Sequence, residues 1–255
     1  MYEASVESTG QFRRTRGAPS RPEDGAASGA LIDIRVFETA HEAQRAAAEL
    51  LAAAARAGEH LALSGGDAPG PAFELAAELE PNWSAARLWW GDERCVPPDD
   101  ERSNYLLAKR TLLDRLDTKP AEVHRIRGEL GGAAAAAEYD DELEGVRLGL
   151  ALQGVGQDGH TASLFPSSPA LDERERRAVA VPHEEVERVT MTLPVLAGAA
   201  EVVYLVLGEA KAEAVKLAFA GDPDPAIPAS LLRSEHGETI VLLDRAAAAR
   251  LDNGS

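Results

Sequence analysis

The sequence has 255 residues and a single cysteine, Cys95. One cysteine excludes an internal disulfide framework and any multi-cysteine metal site. No apolar run reaches the ~18 residues of a membrane-crossing helix. Residues 1–30 (MYEASVESTGQFRRTRGAPSRPEDGAASGA) lack the apolar core of a secretory signal, so a cytoplasmic protein is expected. A basic excess is also missing. Lys and Arg number 26 against 43 Asp and Glu, for a formal net charge of -17. Nucleic-acid binders carry a basic stripe and anionic membranes attract basic segments, so neither partner is expected. A small anionic substrate stays possible, because a few local arginines override the global sign. The six histidines show no H-x-x-x-H spacing, and no metal site is expected.

What is present is an ordinary globular composition, 45% apolar and 27% charged, on a chain long enough to bury a sizeable core. Residues 1–30 are rich in Gly, Ser, Pro and charge and read as a disordered tail. From residue 31 short apolar runs alternate with helical segments. LIDIRVF, HLALS, RLWW, VRLGLAL, VVYLVL and TIVLLD read as strands. Helices are expected over 40–58, 71–79, 104–116, 131–145 and 209–220, with a short C-terminal helix after 244. Strands separated by helices indicate βαβ units, and unbroken apolar runs indicate strands covered on both faces. The stretch 171–200 (RRAVAVP, RVTMTLP) differs and predicts a small antiparallel patch. The reading is an α/β fold over 31–255: a Rossmann-like, mostly parallel sheet flanked by helices, with a small β subdomain.

In open α/β sheets ligands bind beyond the carboxyl ends of the strands. Three loops fall there. SGGDAPG (64–70) has glycines that let the backbone approach a ligand and a following helix N-terminus that suits phosphate. It is neither a Walker loop nor G-x-G-x-x-G, so a nucleotide is not indicated. WGDERCVPPDDERSN (90–104) places Asp92, Glu93 and Arg94 at a strand end, suited either to orienting a sugar and an anion or to anchoring the loop. Cys95 has no thiolate-activating pattern beside it and reads as a small buried residue. GVGQDGHTASLFP (154–166) sets Asp158 two residues before His160, which points to a neutral imidazole steered by a carboxylate, with a structural histidine as the bland alternative. Ser163 lacks the G-x-S-x-G elbow of a serine nucleophile.

SGG with a following Pro, GDERCVP…SN, GVGQDGHTASLFP, RVTMTLP, GEAKAEAV and IPAS occur in an order that resembles the 6-phosphogluconolactonase family, over about residues 33–245. The resemblance implies the Rossmann-like fold shared with glucosamine-6-phosphate deaminases, no cofactor, and hydrolysis of 6-phospho-glucono-1,5-lactone. It implies His160 as general base and Asp158 as its orienting partner. Gly65 and Gly66 match the phosphate loop, and Arg94, Arg188 and Lys211 match basic positions facing the anion. Asp92 and Asn104 match positions that support the loop or bind sugar hydroxyls. The implied partner is a small sugar-phosphate lactone, on a monomer or weak homo-oligomer.

Two positions depart from the family pattern. Asp67 and Ala68 stand where hydroxyl residues usually follow SGG, and an ionised Asp67 repels phosphate unless it turns away to cap the next helix. Gln157 stands where acidic residues or Pro are frequent, with little consequence expected. The rival readings are a deaminase-type isomerase, disfavoured because SLFP rather than a Glu-containing NEP segment follows DGHTA, and a non-catalytic or impaired sugar-phosphate binder.

Overall fold

The computed structural model describes residues 32–251, so the expected tail lies outside the described residues. The chain opens with β1 (Ile32–Phe37) and helix α1 (Ala40–Ala57). Thr39 and Glu42 form a reciprocal capping box at the start of α1, and Gly58 ends it in the left-handed conformation at φ 76°. Its Ala-rich inner face, from Ala43 to Ala55, packs on helix α2 (Pro69–Leu79), with strand β2 (His60–Leu63) between them in sequence. Then come β3 (Arg87–Trp90), β4 (Asp92–Arg94), α3 (Asn104–Thr111), β5 (Glu122–Val123), α4 (Gly132–Glu142) and β6 (Leu150–Gln153). The rest is β7 (Ala178–Val181), β8 (Arg188–Met191), α5 (Leu193–Ala197), β9 (Glu201–Val206), α6 (Ala212–Ala220), α7 (Pro228–Leu231) and β10 (Glu238–Asp244).

Seven strands form one all-parallel sheet in the order β1-β10-β9-β6-β2-β3-β5. The chain runs outward from β2 through β3 to β5, then returns to β6 and runs outward the other way through β9 and β10. The switch point is therefore the crevice between β2 and β6, where an open sheet receives its ligand. A second, antiparallel sheet of β4, β8 and β7 sits beside it. Trp83, Trp89, Trp90, Tyr139, Tyr204 and Phe73 are the largest fully buried side chains. Tyr139 pins the end of β3: its hydroxyl accepts from the Trp90 N–H (2.8 Å) and donates to the Trp90 carbonyl (3.1 Å).

The mostly parallel sheet and the antiparallel patch match the sequence reading, and four details differ. The loop expected over 91–104 begins as strand β4, which pairs with β8. The helix expected over 104–116 breaks at Leu112 (φ -125°, ψ -69°) into α3 and a 3-10 turn. The strand expected from Val146 starts at Leu150. The C-terminal helix is a run of turns, because the Asp244 carboxylate takes the N–H groups of Ala247 (2.7 Å) and Gly208 (3.0 Å) and no helical ladder follows.

Candidate active site

A cavity of about 320 Å³ opens at the carboxyl ends of β2, β6 and β9. Gly65, Gly66, Asp67, Gln153, Val155 and Lys211 are among its walls. Gly66 adopts φ +95°, and a Cβ there would meet nothing within 4 Å, so its backbone faces open space. A Cβ on Gly65 would lie 1.7 Å from Asn104 Oδ1, so only glycine lets this loop close onto α3.

Asp67 does not cap α2. The N-cap position is Ala68, and no side chain bonds the helix end there. Pro69 and Pro71 occupy the first and third helical positions and have no N–H, so a capping carboxylate finds few donors. Asp67 is instead exposed at the cavity wall.

The next loop is built around buried carboxylates. Glu93 accepts from the N–H groups of Asn104 and Tyr105 (2.8 Å each) and from Ser103 Oγ (2.9 Å), which clamps the start of α3. Burial raises the Glu93 pKa against the pull of those donors. Asp92 accepts from Ser163 Oγ (2.6 Å) and Asn104 Nδ2 (3.2 Å). Asp92 and Glu93 therefore join loops, and the sugar-orienting reading of that pair finds no free oxygen to rest on. Asn104 is likewise engaged, through Nδ2 to Asp92 and through Oδ1 to Arg94 Nη1 (2.5 Å). Ser163 is fully buried and spends its hydroxyl on Asp92, which leaves it no role as a nucleophile. Burial, with Glu187 and Glu93 adding to it, pushes the Cys95 thiol up to about 11.

Arg94 and Arg188 face each other across the β4–β8 ladder. The Nε of each is buried without a hydrogen-bond partner, and neither forms an ion pair among the described residues. Burial, and then the neighbouring charge of Arg94, lower the Arg188 pKa. Two adjacent guanidiniums without a carboxylate form a natural anion site. The Arg188 guanidinium also lies 5.8 Å from the centre of the Phe165 ring.

His160 packs on the same Phe165 ring, at 4.8 Å between centroids. Its Nδ1 is 2.6 Å from Asp158 Oδ1, and its backbone N–H donates to that same oxygen at 3.2 Å. Nε2 has no hydrogen-bond partner among the described residues, and the side chain is 32% exposed. Burial acts to raise the Asp158 pKa, but the charge and hydrogen bonds of His160 outweigh it and hold the carboxyl below its ordinary value. Gly156 makes room for this pair: a Cβ there would lie 2.1 Å from His160 Nδ1.

The structure thus gathers Gly65, Gly66, Asp67 and Lys211 around the cavity, sets Asn104 against Gly65 and bonds it to Arg94, and places both Arg188 and His160 at the Phe165 ring. Sequence reasoning missed Phe165 and Gln153. Gln153 is 1% exposed, accepts from Thr161 Oγ1 (3.1 Å) through Oε1, and leaves its Nε2 unpartnered. A polar residue closing the apolar strand LAL was the available signal for it.

The family model described as glucosamine-6-phosphate isomerases/6-phosphogluconolactonase matches residues 36–241. A 6-phosphogluconolactonase of Nostoc sp. is 36% identical over 201 residues, 75% of this chain and 84% of the relative. The 6-phosphogluconolactonase of Homo sapiens is 37% identical over 237 residues, 84% of this chain and 92% of the relative. The solved three-dimensional structure of the Trypanosoma brucei 6-phosphogluconolactonase superposes with a TM-score of 0.78 at 26% identity, covering 88% of this chain and 100% of that one.

Proposed function

This chain belongs to the glucosamine-6-phosphate isomerase/6-phosphogluconolactonase family, and we propose that it hydrolyses 6-phospho-D-glucono-1,5-lactone to 6-phospho-D-gluconate with His160 as general base. The observation that carries this reading is the 2.6 Å contact between Asp158 and His160 Nδ1, on a histidine that packs against the same Phe165 ring as Arg188. Asp158, held ionised, accepts the Nδ1 proton of a neutral imidazole. That tautomer leaves the Nε2 lone pair free to take a proton from water.

The chemistry needs little more. The water oxygen bonds to C1 of the lactone while its proton passes to Nε2. The tetrahedral intermediate collapses, the bond from C1 to the ring oxygen breaks, and the imidazolium returns the proton to that oxygen as it leaves. A lactone is an activated ester, so positioning, a base and charge stabilisation suffice. The Gly65–Gly66 amides, Arg94, Arg188 and Lys211 hold the phosphate, and Asp92 with Asn104 supports their loops. A cavity of about 320 Å³ is of the size that takes a small ligand such as a six-carbon sugar phosphate. The expected setting is the cytoplasm, in the oxidative pentose phosphate route.

One feature favours a second reading. Asp67, which caps no helix, sets its carboxylate in the cavity wall, where it opposes a phosphate dianion and weakens substrate binding, as in a catalytically impaired relative. Freshly generated lactone separates the two. Catalysed acid release well above the spontaneous rate supports hydrolysis, whereas a rate equal to the background leaves only binding.

A further inference from the structure

A second cavity, of about 300 Å³, lies at the opposite end of the sheet, where the chain enters β6, β9 and β10. Val146, Leu148 and Val195 give it apolar walls, and Arg147, Arg177 and His236 give it a cationic and titratable rim. Such a rim is unexpected on a chain with 43 acidic against 26 basic residues. Arg147 has neither an ion pair nor a side-chain hydrogen bond among the described residues, and it is exposed. Arg177 is paired only loosely, 3.5 Å from Asp140 and 3.6 Å from Glu144. These contacts, and that of Nη1 to the Asp140 carbonyl (3.4 Å), are all longer than the ~2.7–2.9 Å of a strong charge-assisted bond, so a closer acceptor would compete with them. The His236 ring has no partner either, since the hydrogen bond of that residue runs from its backbone N–H to Ser234 Oγ.

We propose that this cavity binds a small amphiphilic anion, with a phosphate-ester or carboxylate head held by Arg147 and Arg177 and a compact apolar body against Val146, Leu148 and Val195. The volume lies at the lower end of the ~300–1,000 Å³ of small-molecule sites, and apolar walls with a few polar anchors are their usual lining. The site is separate from the lactone cavity, which opens at the other end of the strands.

The test is an NMR titration of the whole protein with phenyl phosphate, reading the ring signals of His236 and His160 separately. The expected result is a saturable shift of His236, with Arg147→Gln weakening that binding by about tenfold or more, as loss of a charge-assisted hydrogen bond implies. Inorganic phosphate and phenol, each carrying half of the recognition, should bind this cavity more weakly than phenyl phosphate. Lactone turnover by Arg147→Gln should equal wild type. Movement of His160 alone, or a His236 shift that Arg147→Gln leaves intact, would overturn the proposal. Because His236 is read without turnover, the outcome does not depend on whether the chain is a lactonase.

Discussion

Replacing Arg188 by Gln separates binding from folding. In the free protein Arg188 is half-buried, lies beside Arg94, leaves Nε unsatisfied and has no carboxylate within ion-pair distance. Burial without a partner costs free energy, and like charges side by side add to that cost. Removing this guanidinium should therefore leave the stability of the free protein unchanged or raise it. Binding should suffer instead, because a charged hydrogen bond to phosphate contributes ~1.5–3 kcal/mol, equal to about a 10- to 150-fold rise in KM. The assay pairs thermal melting with lactone kinetics, with and without inorganic phosphate. Wild type should melt higher in phosphate, since a ligand at 100 times its Kd adds ~2.7 kcal/mol, and Arg188→Gln should lose most of that gain. A variant that melts well below wild type yet keeps its KM would show that Arg188 is a structural residue, and the reasoning would fail.

Asp67→Ser should raise kcat/KM about tenfold: a carboxylate ~4 Å from a phosphate charge costs up to ~4 kcal/mol at an effective dielectric of about 20, and solvent screening of the exposed Asp67 reduces this to about 1.4 kcal/mol. Its melting temperature should not change, because Asp67 caps nothing, and unchanged kinetics would place that side chain away from the phosphate. Acid should destabilise the fold through carboxylates held at about 2: Asp100 by Arg102, Glu129 by Arg125, and Glu173 by backbone N–H groups and Arg176. Depressed carboxylates contribute stability above their ordinary values of 3.8 and 4.5 and lose it as pH falls toward 2, so urea midpoints should drop between pH 5 and pH 2.5. A flat profile over that window would contradict those pairings. Cys95 should resist iodoacetamide at pH 7.5 in the folded protein, because its thiol is pushed up to about 11. Rapid alkylation without unfolding would contradict that environment.

The sequence announced the main sheet because parallel strands are buried on both faces and appear as unbroken apolar runs, as in LALQ and VVYLV. The His160–Asp158 pair was legible for a local reason: two residues apart on a glycine-rich turn, they meet whatever the rest of the chain does. Long-range partnerships were not. The sequence left Asp92 and Glu93 open between orienting a sugar and anchoring the loop, because their donors come from Ser163, Ser103 and the start of α3, remote in sequence from the strand end. The three-residue strand β4 has no periodicity of its own and exists because β8 pairs with it, which also brings Arg94 to Arg188. Asp67 was misplaced by one residue of helix register. The N-cap of α2 is Ala68, and the alternating prolines at its first and third positions remove the donors a cap requires.

The proposed hydrolysis rests on the proton taken by His160 Nε2. Measured on freshly prepared 6-phospho-D-glucono-1,5-lactone, His160→Ala should lower kcat by ~10²–10⁴ while KM and the melting temperature stay near wild type. A His160→Ala enzyme that turns over lactone at the wild-type rate would contradict it.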